Sequence, residues 1–183
     1  IKKNILLINA ESKNEILEIE KISKLKKKVV DIGIRLNPNT DAQTLSQIST
    51  GKKENKFGVD QKTFLELVNY LKRSKYLNLK CLSVHIGSQI LSYKPYQKML
   101  KVIDKIISKS DFRFEYVDLG GGMGIDYNHN NKKLDLSKYS KEIEKFLKKN
   151  DCKIIFEPGL LCGEHEIIGI LESEYLDLEA NID

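Results

Sequence analysis

Three consecutive glycines, Gly120, Gly121 and Gly122, stand in the run DLGGGMGIDY at residues 118–127, directly after an apolar stretch. Glycines there let the backbone turn tightly and bring successive amide N–H groups to an anion without side-chain obstruction, which suits a phosphate. A plain tight turn is the alternative. The GxGxxG spacing of a dinucleotide fingerprint is absent, and the next helical pattern starts only near Leu136, so a Rossmann loop is a poor rival. Upstream, SVHIGSQI at residues 83–90 ends an apolar run on His85, whose flat ring can stack on a ligand ring. Ser88 follows, a hydroxyl donor for a phosphate oxygen. A lone strand histidine is more often a satisfied core residue; its place at the same edge as the glycines turns the reading toward a ligand. Glu157 in IIFEPG closes another apolar run. A carboxylate buried there is costly unless paired, and a protonated ring nitrogen is a suitable partner; a cap or an ion pair with Arg35 competes. The polar stretch 37–60, NPNTDAQTLSQISTGKKENKFGVD, is long for a connection inside a compact domain, a length found in binding loops and in solvated insertions alike.

The elements that must position these residues follow from periodicity. Apolar runs at 5–9, 32–37, 79–86, 114–119 and 153–157 read as strands, and helical spacing of apolar residues spans 13–27, 61–74, 95–109 and 136–149. Strands alternating with helices of that length predict a parallel α/β sheet with right-handed crossovers. The polar residues Asn9, Glu11, Ser12, Arg35, Asn37, His85, Ser88 and Glu157 fall at the carboxyl ends of the predicted strands. That edge holds the active site in closed barrels and in open doubly wound sheets.

Composition narrows the classes. With 183 residues, 40% of them hydrophobic, the chain can bury one ordinary core, and one compact unit is expected. No apolar run reaches the roughly 18 residues of a membrane span, and the start IKKNILLINAESKNEI lacks a secretory pattern, so a soluble, cytoplasmic protein is expected. Cys81, Cys152 and Cys162 form no CxxC pair and read as buried thiols in a reducing compartment; no metal site is expected. The net charge of +5 comes mostly from lysines spread along helices, a solvated pattern that disfavours nucleic-acid binding. Charge is uneven: residues 1–159 hold all 31 basic residues and 19 acidic ones, whereas 160–183 hold seven acidic residues and none basic.

Taken together, INAES, RLNPNTDA, STGKKENKFGVD, HIGSQI, DLGGGMGIDY and FEPG, in this order and at these separations, resemble the diaminopimelate decarboxylase family. This family belongs to the fold type III pyridoxal-phosphate enzymes, with ornithine and arginine decarboxylases and alanine racemase. The resemblance implies an incomplete (β/α)8 TIM barrel, represented here by its last five strands. It implies pyridoxal 5'-phosphate as cofactor, with His85 stacked on the pyridine ring, Ser88 and the amides of Gly120, Gly121 and Gly122 on the phosphate, and Glu157 keeping the ring nitrogen protonated. Gly159 in the EPG turn joins the cofactor-binding set, and Arg35 supports His85 and Glu157. The implied function is decarboxylation of meso-diaminopimelate to L-lysine by a longer enzyme, a homodimer when complete. Ornithine, arginine or carboxynorspermidine decarboxylation is the alternative within the chemistry, and a non-catalytic barrel fragment that binds a phosphorylated ligand is the alternative outside it.

The sequence also departs from the family. A full barrel needs about 250 residues. The family's Schiff-base lysine lies upstream of anything present, and its cysteine-bearing C-terminal domain is missing, so no catalytic residue is assigned and the chain alone is expected to be inactive. Leu160 stands where an arginine should follow EPG. Likeness stops there, and residues 160–183 read as a divergent acidic tail, non-native to the domain, or as a tail helix presenting Ile167, Ile170, Leu171 and Leu178 on one face.

Overall fold

The computed structural model describes residues 5–39, 57–124, 134–158 and 170–171. Its order is β1 (Ile8–Ala10), α1 (Lys13–Lys26), β2 (Val30–Arg35), α2 (Gln61–Leu71), β3 (Leu77–Ser83), α3 (Tyr93–Ser110), β4 (Tyr116–Asp118), α4 (Leu136–Leu147), β5 (Lys153–Ile155) and β6 (Ile170–Leu171). The strands form one sheet in sequence order, with parallel pairing from β1 through β5 and an antiparallel β6 against β5. The five predicted parallel strands are thus present, each followed by its helix or turn. Ile170 and Leu171 belong to a strand, which excludes a tail helix through those two positions. Cys162, Gly159 and the remainder of 159–183, like the loop at 40–56, lie outside the described residues.

Local sequence explains the helices. Ser12, Asp60, Ser92 and Asp135 accept from backbone N–H groups in the first turns of α1 to α4, satisfying donors that a helix start leaves orphaned. Ser12, one of the polar residues at the predicted active edge, is therefore a cap. Pro95 sits in the first turn of α3, where its missing N–H costs nothing. The buried faces repeat at helical spacing: Phe64, Leu67, Val68 and Leu71 in α2; Tyr96, Met99, Leu100, Ile103 and Ile106 in α3; Tyr139, Ile143, Phe146 and Leu147 in α4. They cover strands whose Ile32, Ile34, Leu82, Val117 and Ile154 are fully buried, each such side chain contributing about 1.5–3 kcal/mol by removal from water. Cys81 and Cys152 are free and buried as expected, and burial pushes both thiols up, Cys152 to about 12. No helix among the described residues is long and apolar enough to cross a membrane.

The strands end earlier than their apolar runs. β3 stops at Ser83, although Val84 and Ile86 are buried, and β5 stops at Ile155. These short overhangs and the loops that leave them carry the polar residues.

Candidate functional site

Register gathers the polar residues at one edge. Arg35 stands opposite Ser83, and Ser83 opposite Asp118, so three neighbouring strands end in one polar row. Asn9 lies two residues below this row, opposite Gly33, which in turn faces Cys81. Gly33 is required there: a Cβ would come within 2.0 Å of Asn9 Oδ1 and 2.9 Å of Cys81 Cβ.

Above this row opens a cavity of about 370 Å³, lined by Asn9, Glu11, Arg35, Phe57, Ser83, His85 and Glu157. His85 and Glu157 therefore share one cavity. Arg35 pairs with Glu11 and lies over the Phe57 ring, 5.3 Å from its centroid. The end of the long 37–60 connection is pinned to this wall: Asn37 N–H donates to the Val59 carbonyl and Val59 N–H to the Arg35 carbonyl, both at 2.8 Å.

Glu157 is exposed as a residue, contrary to the buried carboxylate expected from its apolar strand, because β5 ends before it; its side chain lines the cavity, where neighbouring protein still takes part of the water from its carboxylate. It does not pair with Arg35, whose partner is Glu11. The buried carboxylate at this edge is Asp118, 1% exposed. Asp118 accepts from Asn9 Nδ2 at 3.0 Å, Ser83 Oγ at 2.9 Å and the Gly120 N–H at 2.8 Å, and so joins three strand ends to the glycine loop. Its signal in the sequence was an acid inside an apolar strand immediately before LGGG. Asn9 Oδ1 is buried without a hydrogen-bond partner among the described residues, pressed against Gly33.

The three glycines do not present three open amides. The Gly120 N–H is taken by Asp118, and the Gly121 N–H donates to His85 Nδ1 at 3.3 Å. Among the described residues only the Gly122 N–H of the three has no acceptor. The loop is locked against 85–88: a Cβ on Gly120 would meet His85 Nδ1 at 2.6 Å, and one on Gly122 would meet the Gly87 carbonyl at 1.8 Å. Both residues have positive φ, 64° and 82°. Ser88 lies beside this contact, its Cα within 3.4 Å of that same added Cβ; like Gly120, Gly121 and Gly122 it borders the cavity walls through His85 and is not itself on the lining. One peptide spans the site: the Gly120 carbonyl accepts from the Glu157 N–H at 2.9 Å while the Gly121 N–H holds His85.

The electrostatics agree with a site short of counter-charge. Desolvation first, then the Arg35 charge, lower His85, with Glu11 opposing. With Nδ1 accepting from Gly121, His85 is neutral and carries its proton on Nε2. Desolvation and Asp118 raise Glu157, and desolvation raises Asp118 against its three hydrogen bonds. The donor set fits a phosphorylated pyridine: a flat neutral imidazole at the cavity wall, an accessible carboxylate for a protonated ring nitrogen, and an unpaired glycine amide in a cradle that no side chain could enter. No group of three or more His, Cys, Asp or Glu among the described residues could hold a metal.

Comparison with known proteins identifies relatives of the same kind. Residues 1–162 match the family described as pyridoxal-dependent decarboxylase, pyridoxal binding domain. Diaminopimelate decarboxylase of Helicobacter pylori strain J99 is 42% identical over 164 residues, covering 87% of this chain and 40% of that protein. The Campylobacter jejuni enzyme of the same name is 36% identical over 159 residues, covering 85% of this chain and 40% of that protein. The crystal structure of the Helicobacter pylori diaminopimelate decarboxylase complexed with L-lysine superposes with a TM-score of 0.80 at 39% identity, over 85% of this chain and 40% of that one. The chain thus spans 40% of the length of these relatives.

Proposed function

The chain belongs to the pyridoxal-dependent decarboxylase family, in its pyridoxal-binding domain, and on that premise we propose that its carboxyl strand edge holds pyridoxal 5'-phosphate and serves the decarboxylation of meso-diaminopimelate to lysine in a longer enzyme. The observation that carries this reading is the shared cavity of His85 and Glu157, braced by the Gly120–Gly121 peptide. When bound, the cofactor supplies an electron sink for the pair left behind as carbon dioxide departs.

The chain's own residues do the rest. Neutral His85 offers its ring face to the pyridine, and its lowered basicity keeps a competing positive charge out of the stack. Glu157 holds a proton at the ring nitrogen; its raised carboxyl means that its charge is under-compensated and gains most from a cationic N–H. Arg35, tied to Glu11, supplies positive potential to both. Gly122 N–H, with Ser88 and Gly120 and Gly121 forming the rest of the cradle, receives the phosphate, and Gly159 completes the turn after Glu157. No lysine of this chain is assigned the covalent link. Residues 1–159 are the cofactor-binding unit and 160–183 an acidic tail that rejoins the sheet through β6, a division supported by the charge reversal and by a family match that ends three residues into the tail, at 162. The complete enzyme is a homodimer using a small amino-acid substrate, to be checked by sedimentation of the full-length protein.

The test is a titration of the purified chain with pyridoxal phosphate followed by borohydride. A saturable absorbance shift without covalent trapping agrees with the proposal. A trapped lysine within this chain contradicts the assignment of the covalent residue, and no absorbance shift contradicts the site.

A further inference from the structure

The Gly122 N–H is the one glycine-loop amide without an acceptor among the described residues, and what aims it lies outside the cavity. The preceding carbonyl, that of Gly121, accepts from Tyr96 Oη at 3.2 Å, on the helix side of the sheet. No peptide among the described residues is cis. In a planar trans peptide the C=O and the following N–H point in opposite directions. A hydroxyl that holds the Gly121 carbonyl toward α3 therefore turns the Gly122 N–H away from the helix layer. We infer that Tyr96 is a positioning residue for the anion-binding amide of the glycine loop, an inference that rests on the proposed phosphate site.

Tyr96 is built for that task. It is fully buried, and burial raises its phenol well above the ordinary range, so the hydroxyl stays protonated and donates at any physiological pH. Its ring packs on Tyr139 of α4 with centroids 4.5 Å apart, and Tyr139 in turn meets Phe156, next to Glu157, at 6.3 Å. An aromatic train through the helix layer thus fixes the rotamer that places the hydroxyl. Other contacts restrain the same loop on either side: Asp118, His85 and Glu157 hold the Gly120 and Gly121 groups described above, Ile90 N–H donates to the Gly122 carbonyl at 2.9 Å, and Gly124 N–H to the Ile90 carbonyl at 3.1 Å. None of them engages the Gly121 carbonyl or the Gly122 N–H, the two groups of the peptide in question. Glycine on both sides of the peptide places no Cβ in the way of a local tilt of that plane once the Tyr96 bond is gone.

The experiment uses the full 183-residue chain, ¹⁵N-labelled, as wild type and as Tyr96→Phe, which removes only the hydroxyl. Ligand-free, the Gly122 amide resonance is expected to move in Y96F while the amides of β1 and β2 stay in place; an unmoved Gly122 overturns the inference whatever the chain binds. Dissociation constants are then measured for pyridoxal phosphate and for pyridoxal, which lacks the phosphate. Y96F is expected to lose about fivefold in affinity for pyridoxal phosphate, the size of one hydrogen bond misdirected, and nothing for pyridoxal. Equal losses for both ligands indicate a merely structural role and overturn it. A wild-type chain that does not distinguish the two ligands contradicts the phosphate site itself, and that result is read without any variant. Should Y96F not give a folded spectrum, fluorotyrosine incorporated into the wild-type chain replaces it. Pyridoxal phosphate, and not pyridoxal, is then expected to shift the Tyr96 fluorine resonance, and equal responses overturn the inference.

Discussion

The two ends of the sheet use polar residues to opposite effect. Toward the amino ends, Lys80 bridges Asp31 at 3.1 Å and Glu115 at 3.0 Å, and Asn78 donates to Asp31 at 2.8 Å. Their partners lower Glu115 and raise Lys80, so each charged form is favoured. At the carboxyl ends the shifts reverse: His85 is lowered while Asp118 and Glu157 are raised, so each charged form is disfavoured. Carboxylates thus sit in self-contained ion pairs at one end and, at the other, in desolvated places on a cavity wall, as Glu157 does, or behind it, as Asp118 does. Groups left in that state are typical of sites completed by a ligand.

Substitutions should separate the two ends. Asp118→Ala is expected to have the largest effect, a loss of about 3 kcal/mol in urea unfolding, because it strands Ser83 Oγ, Asn9 Nδ2 and the Gly120 N–H in a buried place. Asp118→Asn should fall between, since one of its side-chain atoms becomes a donor facing donors. A D118A chain as stable as wild type would remove the structural basis of the contrast. Glu157→Gln should weaken pyridoxal phosphate by about tenfold, measured by absorbance titration, through loss of a charge-assisted bond. Its stability should not fall. A raised folded carboxyl contributes stability that is present below the unfolded value and lost as pH rises through the folded value. E157Q should therefore lose less stability than wild type as pH climbs from acid toward neutral.

His85 has the opposite sign. Its lowered folded value means that stability is intact above the unfolded value of about 6.5 and is lost as pH falls through the folded value. His85→Phe keeps a flat ring without the titration, so its thermal midpoint should change less than that of wild type between pH 7 and pH 5; identical profiles would mean that His85 does not titrate differently on folding. The smallest effect is expected at the other end, where Lys80→Ala should cost about 0.5 kcal/mol, as solvent-reachable pairs do, and leave cofactor affinity unchanged. A loss of affinity in K80A would erase the distinction between the ends.

Much of this was legible in the sequence where periodicity reports burial. The helix predicted at 13–27 is Lys13–Lys26, and that predicted at 136–149 is Leu136–Leu147. Strand ends were overrun for a physical reason. Val84, Ile86 and Leu119 are buried after the ladder has stopped, since loop residues at a strand end still cover the core, and apolarity alone does not distinguish them from strand. The gathering of Arg35, His85 and Glu157 followed from parallel topology, which brings carboxyl ends to one edge. The partners did not. Asp118 as a hub depends on cross-strand register, and the use of Gly120 and Gly121 amides inside the protein depends on loop conformation. Neither leaves a mark on residue spacing.

The most direct measurement is an NMR titration of the ¹³C,¹⁵N-labelled chain with pyridoxal phosphate, following the His85 ring, the Gly122 amide and the Glu157 carboxyl. On this account all three move together along one binding curve, while Lys80 and Glu115 stay still. Separate curves for the three, or a response confined to one of them, would mean that they do not form one pocket and would contradict the assignment.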